Sequence, residues 1–219
     1  MAATAGLLAT SKANAITNTE VQNNKFKGNI NHSVCRWCCN TIPMEDFLQN
    51  LNELGITAMD LTGPDDWPIM KKYGIHASMC WGAGFGIEKG WNDAKLHEEL
   101  IKDYLQMIPK VAEAGYTNLI CFSGNRNGMN EEEGLKNSAK GLKQIMAVAE
   151  KHGVVIQMEL LNSKVDHKDY MCDNVEWGVS LCNEIGSENF KLLYDIYHMQ
   201  IMEGDIIRTI RDYHQYFCH

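Results

Sequence analysis

Two short apolar runs, VVIQME at residues 154–159 and FKLLYD at residues 190–195, each end in a carboxylate. The carboxylates are those of Glu159 and Asp195, and His198 follows the second of them three residues later. In parallel α/β folds, functional side chains gather at the carboxyl ends of the strands. The two runs therefore predict neighbouring strands whose polar ends meet at one face of a parallel sheet.

Around these runs, short β-prone segments alternate with longer helical stretches, and a glycine often separates a helix from the next strand. The predicted strands are residues 31–37, 57–61, 75–80, 118–122, 154–159 and 190–195, with a seventh starting at 216–219. The predicted helices are residues 43–54, 65–73, 93–114, 131–152, 174–185 and 205–212. This alternation is typical of parallel βαβ units.

The length bears on whether these units form a barrel or an open sheet. A complete (β/α)₈ barrel takes about 250 residues. The 191 residues left after a 28-residue leader (219 − 28) correspond to about six barrel units. We therefore expect an α/β fold, an incomplete (β/α)₈ TIM barrel of about six units with the start of a seventh strand. A doubly wound open sheet is the alternative that this arithmetic leaves open.

The first 28 residues differ in composition from the rest. Residues 2–15 are small and weakly apolar, and they end in ANA at 13–15, the A-x-A pattern that closes a secretory signal. Residues 17–28 are polar and typical of a linker. We interpret 1–28 as a leader or linker, either a signal-peptide remnant or a disordered tail, and 29–219 as the barrel domain. A cytoplasmic location and export both stay open.

The charge balance is acidic, with 20 Lys and Arg against 28 Asp and Glu, a formal net charge of −8. A protein that grips a phosphate backbone normally needs a basic face, so this composition argues against a nucleic-acid partner. Eight cysteines are present, and most lie in apolar runs typical of buried packing residues. Cys35 and Cys38 form a C-x-x-C pair, but no second pair or spaced histidines accompany it, which favours packing over a zinc or redox site.

Glu159 and Asp195 would lie close together at the mouth of a barrel. Like charges at short range repel unless they share a cation or one of them is protonated. Oxygen ligands with an imidazole nearby suit Mg²⁺, Mn²⁺, Co²⁺ or Zn²⁺. A single acidic residue at a strand end is often only a helix cap or a solvated loop residue. For the pair together with His198, a divalent metal site is an equally good interpretation.

The stretch NFKLLYDIYHMQ at residues 189–200, with EGD at 203–205 behind it, closely resembles the hydroxypyruvate isomerase family. That family belongs to the xylose-isomerase-like TIM-barrel superfamily, alongside ketose 3-epimerases and endonuclease IV. MELLN at 158–162 is similar to a strand end that reads E-P-I-N in the family, with Leu160 in place of the proline. The order of elements matches over residues 29–219, while the specific similarity lies in these stretches.

The resemblance implies a metal site. Glu159 and Asp195 would hold a divalent ion, Mg²⁺ or Mn²⁺ before Co²⁺ or Zn²⁺, and His198 would meet substrate oxygen atoms. The third ligand would follow shortly after His219 in the seventh strand, and the fourth belongs to an eighth strand, which the 219 residues do not contain. We therefore expect the 219-residue chain by itself to be inactive. Many relatives carry an acidic residue where this chain has Val165, which leaves the substrate contacts of that loop open.

The reaction implied is the interconversion of an aldose and a ketose through an enediolate, on a small hydroxy-ketone or hydroxy-aldehyde. A base must reach the proton on the carbon next to the carbonyl, and the oxygen that becomes negative needs a cation. The resemblance implies that Glu159 serves both as ligand and as base, paired with a Glu of the eighth strand. Arg126, after the fourth predicted strand, could bind a substrate carboxylate through two hydrogen bonds, although a solvated loop arginine is the alternative. Hydroxypyruvate, a tetrulose and a ketohexose are all compatible substrates.

Two other function classes stay open. An AP-endonuclease-like metal hydrolase would require several more histidine ligands and a basic face for DNA. A non-catalytic sugar-binding barrel would require no metal. We expect a small sugar or hydroxy-ketone as partner, no nucleic acid and no membrane, since no run of 18 or more apolar residues occurs. The unpaired strand edges of an incomplete barrel favour homo-oligomers.

Overall fold

The computed structural model describes residues 30–219, and the residues from His32 to His219 form one compact unit. The leader or linker predicted over 1–28 lies outside the described residues and stays a prediction. None of the helices in the described part of the chain is long and apolar enough to cross a membrane.

One sheet of parallel strands runs through this unit, and its strands lie side by side in the order in which they follow one another in the chain. The strands are β1 (Ser33–Cys35), β2 (Ala58–Thr62), β3 (His76–Cys80), β4 (Asn118–Cys121), β5 (Val155–Glu159) and β6 (Phe190–Leu193). A doubly wound sheet reverses its strand order at a switch point, whereas a barrel adds every strand on the same side. The sequential order therefore confirms the predicted incomplete (β/α)₈ barrel. Within residues 30–219, β1 does not pair with β6, and the sheet stays open there.

Helices alternate with the strands. They are α1 (Met44–Leu54), α2 (Trp67–Lys72), α3 (His97–Glu113), α4 (Glu131–His152), α5 (Val175–Ile185), α6 (Ile196–Met202) and α7 (Ile206–Tyr213). Asn130 and Asn174 cap the amino ends of α4 and α5, since each side chain accepts a backbone N–H three residues further on. Gly153 and Gly186 end the same two helices in the left-handed conformation that glycine adopts without strain. These local signals fix where the long helices begin and end.

The two faces of the sheet differ in character. Helix α5 packs directly on β6 and on Leu160, the residue after β5, because a Cβ added to Gly178 would lie 2.9 Å from Leu192 and 3.4 Å from Leu160. Successive side chains of a strand point to opposite faces, so Gln157 and Glu159 face away from the helices. That face is the inside of the barrel. Glu159, the last residue of β5, lies at the edge of this face where the strands have their carboxyl ends.

The end of the chain joins the edge of β6. After a 3-10 turn at His214–Tyr216, Phe217 pairs in parallel with Leu192. The N–H of Tyr194 then donates to the carbonyl of His219 over 3.1 Å. The strand predicted at 216–219 is thus represented by one parallel bridge, at the place where a barrel has its seventh strand.

Two predicted strands end two residues earlier in the structure. β1 stops at Cys35, because the chain turns into a 3-10 helix at Arg36–Cys39. β6 stops at Leu193, and Asp195, predicted as its last residue, is the N-cap of α6. Helix α6 was not predicted, since its seven residues continue an apolar run that is typical of a strand.

Candidate active site

Glu159 is the last residue of β5, and its backbone is held from two sides. The hydroxyl of Tyr170, a fully buried side chain, donates to the Glu159 carbonyl over 3.0 Å and accepts the N–H of Ser123 over 3.0 Å. One residue further on, the N–H of Leu160 donates to the carbonyl of Leu193 over 3.2 Å. These bonds connect the ends of β4, β5 and β6, so the Glu159 side chain starts from a fixed backbone position.

Asp195 and His198 lie on the turn that leads from β6 into α6. Asp195 Oδ1 accepts the backbone N–H of His198 over 3.2 Å, and Asp195 Oδ2 lies 3.8 Å from His198 Nε2. An N-cap side chain reaches the N–H groups two or three residues further on. The three-residue spacing therefore places the imidazole beside the carboxylate by local geometry alone.

The side chains of Glu159, Asp195 and His198 form one cluster, in which a potential ligand atom from each lies within 4.8 Å of the others. Oxygen ligands bind a divalent cation at about 2.0–2.6 Å, so two ligands of one ion lie no further apart than about twice that distance. The separations in this cluster are within that range. The structure thus brings together the two residues predicted as metal ligands and the histidine predicted as a substrate contact. Their roles stay predictions.

The cluster carries negative charge that no described cation offsets. Burial, and after it the charge of Asp195, raise the pKa of Glu159 from its ordinary value of 4.5 to about 8. Among residues 30–219, no side chain donates a hydrogen bond to the Glu159 carboxylate. A cation between the two carboxylates would favour their charged forms, and oxygen donors beside an imidazole suit a divalent ion. The donor set therefore fits the predicted metal.

His198 is surrounded by polar side chains from the loop after β5 and from α6. Its Nδ1 lies 2.6 Å from Nδ2 of Asn162, and its ring lies 5.2 Å from the ring of His167 and 5.0 Å from that of Tyr197. Burial lowers the pKa of His198, while the charge of Asp195 acts in the opposite direction. The lowered pKa favours the neutral imidazole, in which one nitrogen donates and the other accepts a hydrogen bond.

Arg126 lies in the loop after β4, and its guanidinium binds protein groups. It donates to Asp173 Oδ1 over 2.9 Å and to the carbonyls of Tyr170 and Met171, and a carboxylate oxygen of Glu131 lies 3.5 Å away. These contacts tie the loop after β4 to the segment before α5. They also occupy the donors that a substrate carboxylate would need, so the predicted substrate contact of Arg126 stays a prediction.

A further carboxylate on the inner face, Asp60 of β2, was not predicted. Its Oδ1 lies 3.1 Å from Nε2 of His219, and the hydroxyls of Ser33 and Ser78 donate to it. Burial alone would raise the pKa of Asp60, but the hydrogen bonds from these three side chains hold it below its ordinary value. The available signal is a charged residue inside the strand-like run AMDLT at 58–62. His219 thus contacts Asp60 instead of joining the cluster at Glu159.

Fold and cluster together define the class of protein: a parallel α/β barrel with two carboxylates and an imidazole where adjacent strands end. A family model described as xylose isomerase-like TIM barrel matches residues 67–219. The chain belongs to this family, which confirms the superfamily that the sequence resembles.

Individual relatives are more distant. The chain is 26% identical over 132 residues to hydroxypyruvate isomerase of Escherichia coli (strain K12), a match that covers 59% of this chain and 50% of that protein. It is 34% identical over 59 residues to 2-oxo-tetronate isomerase of Cupriavidus necator, covering 27% of this chain and 22% of that protein. The chain thus spans half or less of the length of these curated relatives.

The fold has counterparts among solved structures. The structure titled AP endonuclease, family 2 from Brucella melitensis superposes with a TM-score of 0.76 at 19% identity, covering 86% of this chain and 77% of that chain. At this identity the likeness establishes the shared fold.

Proposed function

We propose that this chain belongs to a metal-dependent isomerase that interconverts a small hydroxy-ketone and a hydroxy-aldehyde through an enediolate. The observation that carries the proposal is the cluster of Glu159, Asp195 and His198, whose potential ligand atoms lie within 4.8 Å of one another where β5 and β6 end. Both curated relatives described above are named as isomerases, which supports the reaction class.

Glu159 is the proposed base. It takes the proton from the carbon that bears the hydroxyl next to the carbonyl and returns it to the former carbonyl carbon, while the hydroxyl proton passes to the former carbonyl oxygen. A group that must both accept and release a proton works best when its pKa is close to the working pH. In the metal-free protein, burial and the charge of Asp195 raise the pKa of Glu159 to about 8, above its ordinary value. A bound cation favours the charged form and lowers this pKa, so that Glu159 can accept a proton as a base.

Asp195 and His198 complete the proposed site. Glu159 and Asp195 would hold the divalent ion, Mg²⁺ or Mn²⁺ in the first place, and when bound the ion supplies positive charge where the substrate oxygens become negative. Asp195 is held for this role by the N–H of His198, which engages Oδ1 and leaves Oδ2 for the site. His198 would donate from its ring to a substrate oxygen.

The substrate is proposed from the same groups. The site offers two carboxylates and a neutral imidazole, which suit an uncharged hydroxy-carbonyl group bound to a cation. For a substrate with its own carboxylate, such as hydroxypyruvate, we propose Arg126 as partner. The guanidinium would exchange its contact with the carbonyl of Tyr170 or Met171 for the substrate.

The test is turnover by the full-length protein. Hydroxypyruvate, a tetrulose and a ketohexose are each incubated with the chelator-treated protein in D₂O, with and without Mn²⁺. We expect isomerisation of at least one substrate only with the metal, with deuterium on the carbon that receives the proton, and no exchange by Glu159→Gln. Turnover unaffected by chelator, or no turnover of any substrate, contradicts the proposal.

Two further arms of this test separate the alternatives. Cleavage of DNA that contains an abasic site would identify a hydrolase, which the net charge of −8 argues against. Retention of a sugar without turnover, in the absence of metal, would identify a binding barrel.

A further inference from the structure

Asn162, three residues after Glu159, has a side-chain amide whose orientation is determined by its neighbours. Its Oδ1 accepts the backbone N–H of Val165 over 3.1 Å and that of Asp166 over 2.9 Å. Both of these partners are obligatory donors. The oxygen of the amide must therefore face the turn at residues 162–166, and the nitrogen must face the other way.

The two hydrogens of Asn162 Nδ2 have two partners. Asp166 Oδ2 lies 2.7 Å from Nδ2, and His198 Nδ1 lies 2.6 Å from it. Turning the amide around would place its nitrogen against two N–H groups and its oxygen against a carboxylate. The surrounding groups thus leave only one orientation of the amide with every contact satisfied.

This orientation decides where the hydrogen of the neutral His198 ring lies. Because Asn162 donates to Nδ1, that nitrogen must accept, and the ring hydrogen belongs on Nε2. Nε2 is the nitrogen that faces the site, 3.8 Å from Asp195 Oδ2. The fully buried Asn162 cannot exchange its partner for solvent, so the opposite tautomer would leave two N–H groups facing each other.

We propose that Asn162 is a positioning residue that holds His198 as the Nε2–H tautomer. His198 is then a hydrogen-bond donor towards the substrate, and it is neither a third metal ligand nor a base, since both roles require a lone pair on Nε2. This inference rests on the proposed function in one respect, namely that the cluster around His198 is the active site of an isomerase. The hydrogen bonds that carry it are properties of the protein alone.

The supporting network continues beyond Asn162. Asp166 Oδ2 also accepts the hydroxyl of Tyr197 over 2.8 Å, and Tyr197 directly precedes His198 in α6. The loop after β5 and the first turn of α6 are therefore connected twice, once through Asn162 and once through Tyr197. An exposed Asp166 thus serves to orient a buried amide.

A charge exchange between positions 162 and 166 tests the proposal. In the double variant Asn162→Asp/Asp166→Asn, the amide introduced at position 166 can donate to the carboxylate introduced at position 162. That carboxylate can still accept the two backbone N–H groups. The group facing His198 changes from a donor to an acceptor. The carboxylate that accepts the hydroxyl of Tyr197 is also replaced, a change that the single variant Asp166→Asn shares. The single variant Asp166→Asn is the matched control, because it retains Asn162, which still donates to Nδ1 of His198.

The readout is the ¹⁵N spectrum of histidine-labelled protein without metal at about pH 8, well above the ordinary pKa of histidine. The His198 signals are assigned by their loss in His198→Gln. We expect the wild type and Asp166→Asn to carry the hydrogen on Nε2, with the other tautomer disfavoured by about tenfold or more. In the double variant we expect the hydrogen on Nδ1.

A wild-type ring protonated on Nδ1 overturns the proposal, even if the double variant fails to fold. A folded double variant that keeps the Nε2–H signal overturns it as well. Neither result depends on turnover, since no metal or substrate is present. Absence of isomerase activity in the full-length protein would instead contradict the proposed function and leave the tautomer assignment standing.

Discussion

Replacement of Glu159 by Gln should stabilise the metal-free protein at alkaline pH. The pKa of Glu159 is raised from 4.5 to about 8 by burial and by the charge of Asp195. The folded state therefore holds this proton more tightly than the unfolded state does. For such a group, stability is highest below the unfolded pKa and is lost as the pH rises from about 4.5 to about 8. Glu159→Gln cannot ionise and avoids this loss.

The magnitude follows from the same two values. The interval from 4.5 to about 8 is about 3.5 pH units, which at 1.36 kcal/mol for each unit gives an upper limit of about 5 kcal/mol. The Glu159 residue is partly exposed, and solvent screens part of this energy. We therefore expect the free energy of unfolding of Glu159→Gln to exceed that of the wild type by about 2 kcal/mol above pH 8 and by almost nothing near pH 4.5.

Urea unfolding followed by tryptophan fluorescence, in the presence of a chelator and across this pH range, measures the difference. Glu184→Gln is a suitable control, because the exposed Glu184 pairs with Lys143 over 2.8 Å and its pKa lies below the ordinary value. Its variant should not gain stability at high pH. A difference between Glu159→Gln and wild type that stays constant with pH would refute the reasoning. Added Mn²⁺ should stabilise the wild type more than Glu159→Gln.

Asp195→Asn should weaken Mn²⁺ binding by at least about tenfold in calorimetric titration, because the charge of the ligands sets the affinity of such sites; unchanged affinity would place the metal elsewhere. Arg126→Met should lower the free energy of unfolding by about 2–3 kcal/mol, because it leaves the buried carboxylate of Asp173 without its 2.9 Å partner. If Arg126→Met instead unfolds like the wild type and raises only the KM for hydroxypyruvate, its main role is substrate binding. Gly90→Ala should reduce stability by about 3 kcal/mol in thermal unfolding, since its Cβ would lie 2.2 Å from the backbone oxygen of Phe122; wild-type stability would mean that this backbone contact relaxes freely.

The parts of the fold that could be predicted from the sequence are those with local signals. Helix α4 occupies the predicted residues 131–152, because Asn130 caps its amino end and Gly153 ends it. The sequence likewise predicted β5 and its end at Glu159, since a strand buried by helices is apolar and ends where polar residues begin. The sequential strand order, by contrast, needed the structure, because spacing alone does not distinguish a barrel from an open sheet.

The parts that could not be predicted depend on contacts between distant residues. Asp60 and His219 lie far apart in the sequence, on β2 and at the end of the chain. Nothing in either local sequence indicates that their side chains are in contact. The hydrogen bond between Asn162 and His198 likewise joins residues 36 positions apart. Asp195 was predicted as the last residue of the strand and is the N-cap of α6, because a carboxylate after an apolar run can equally end a strand or cap a helix.

Leu160 shows how a departure from the family pattern contributes to the site. A proline at this position has no N–H, whereas the N–H of Leu160 donates to the carbonyl of Leu193 over 3.2 Å. The ladder between β5 and β6 therefore continues one residue beyond Glu159 and ends two residues before Asp195. The backbones that carry the two carboxylates are thus joined directly next to the site, and their separation depends on a strand pair instead of on a loop. The carboxylates of Glu159 and Asp195 repel each other when no cation lies between them. The hydrogen bond between Leu160 and Leu193 holds their backbones together before any ion binds.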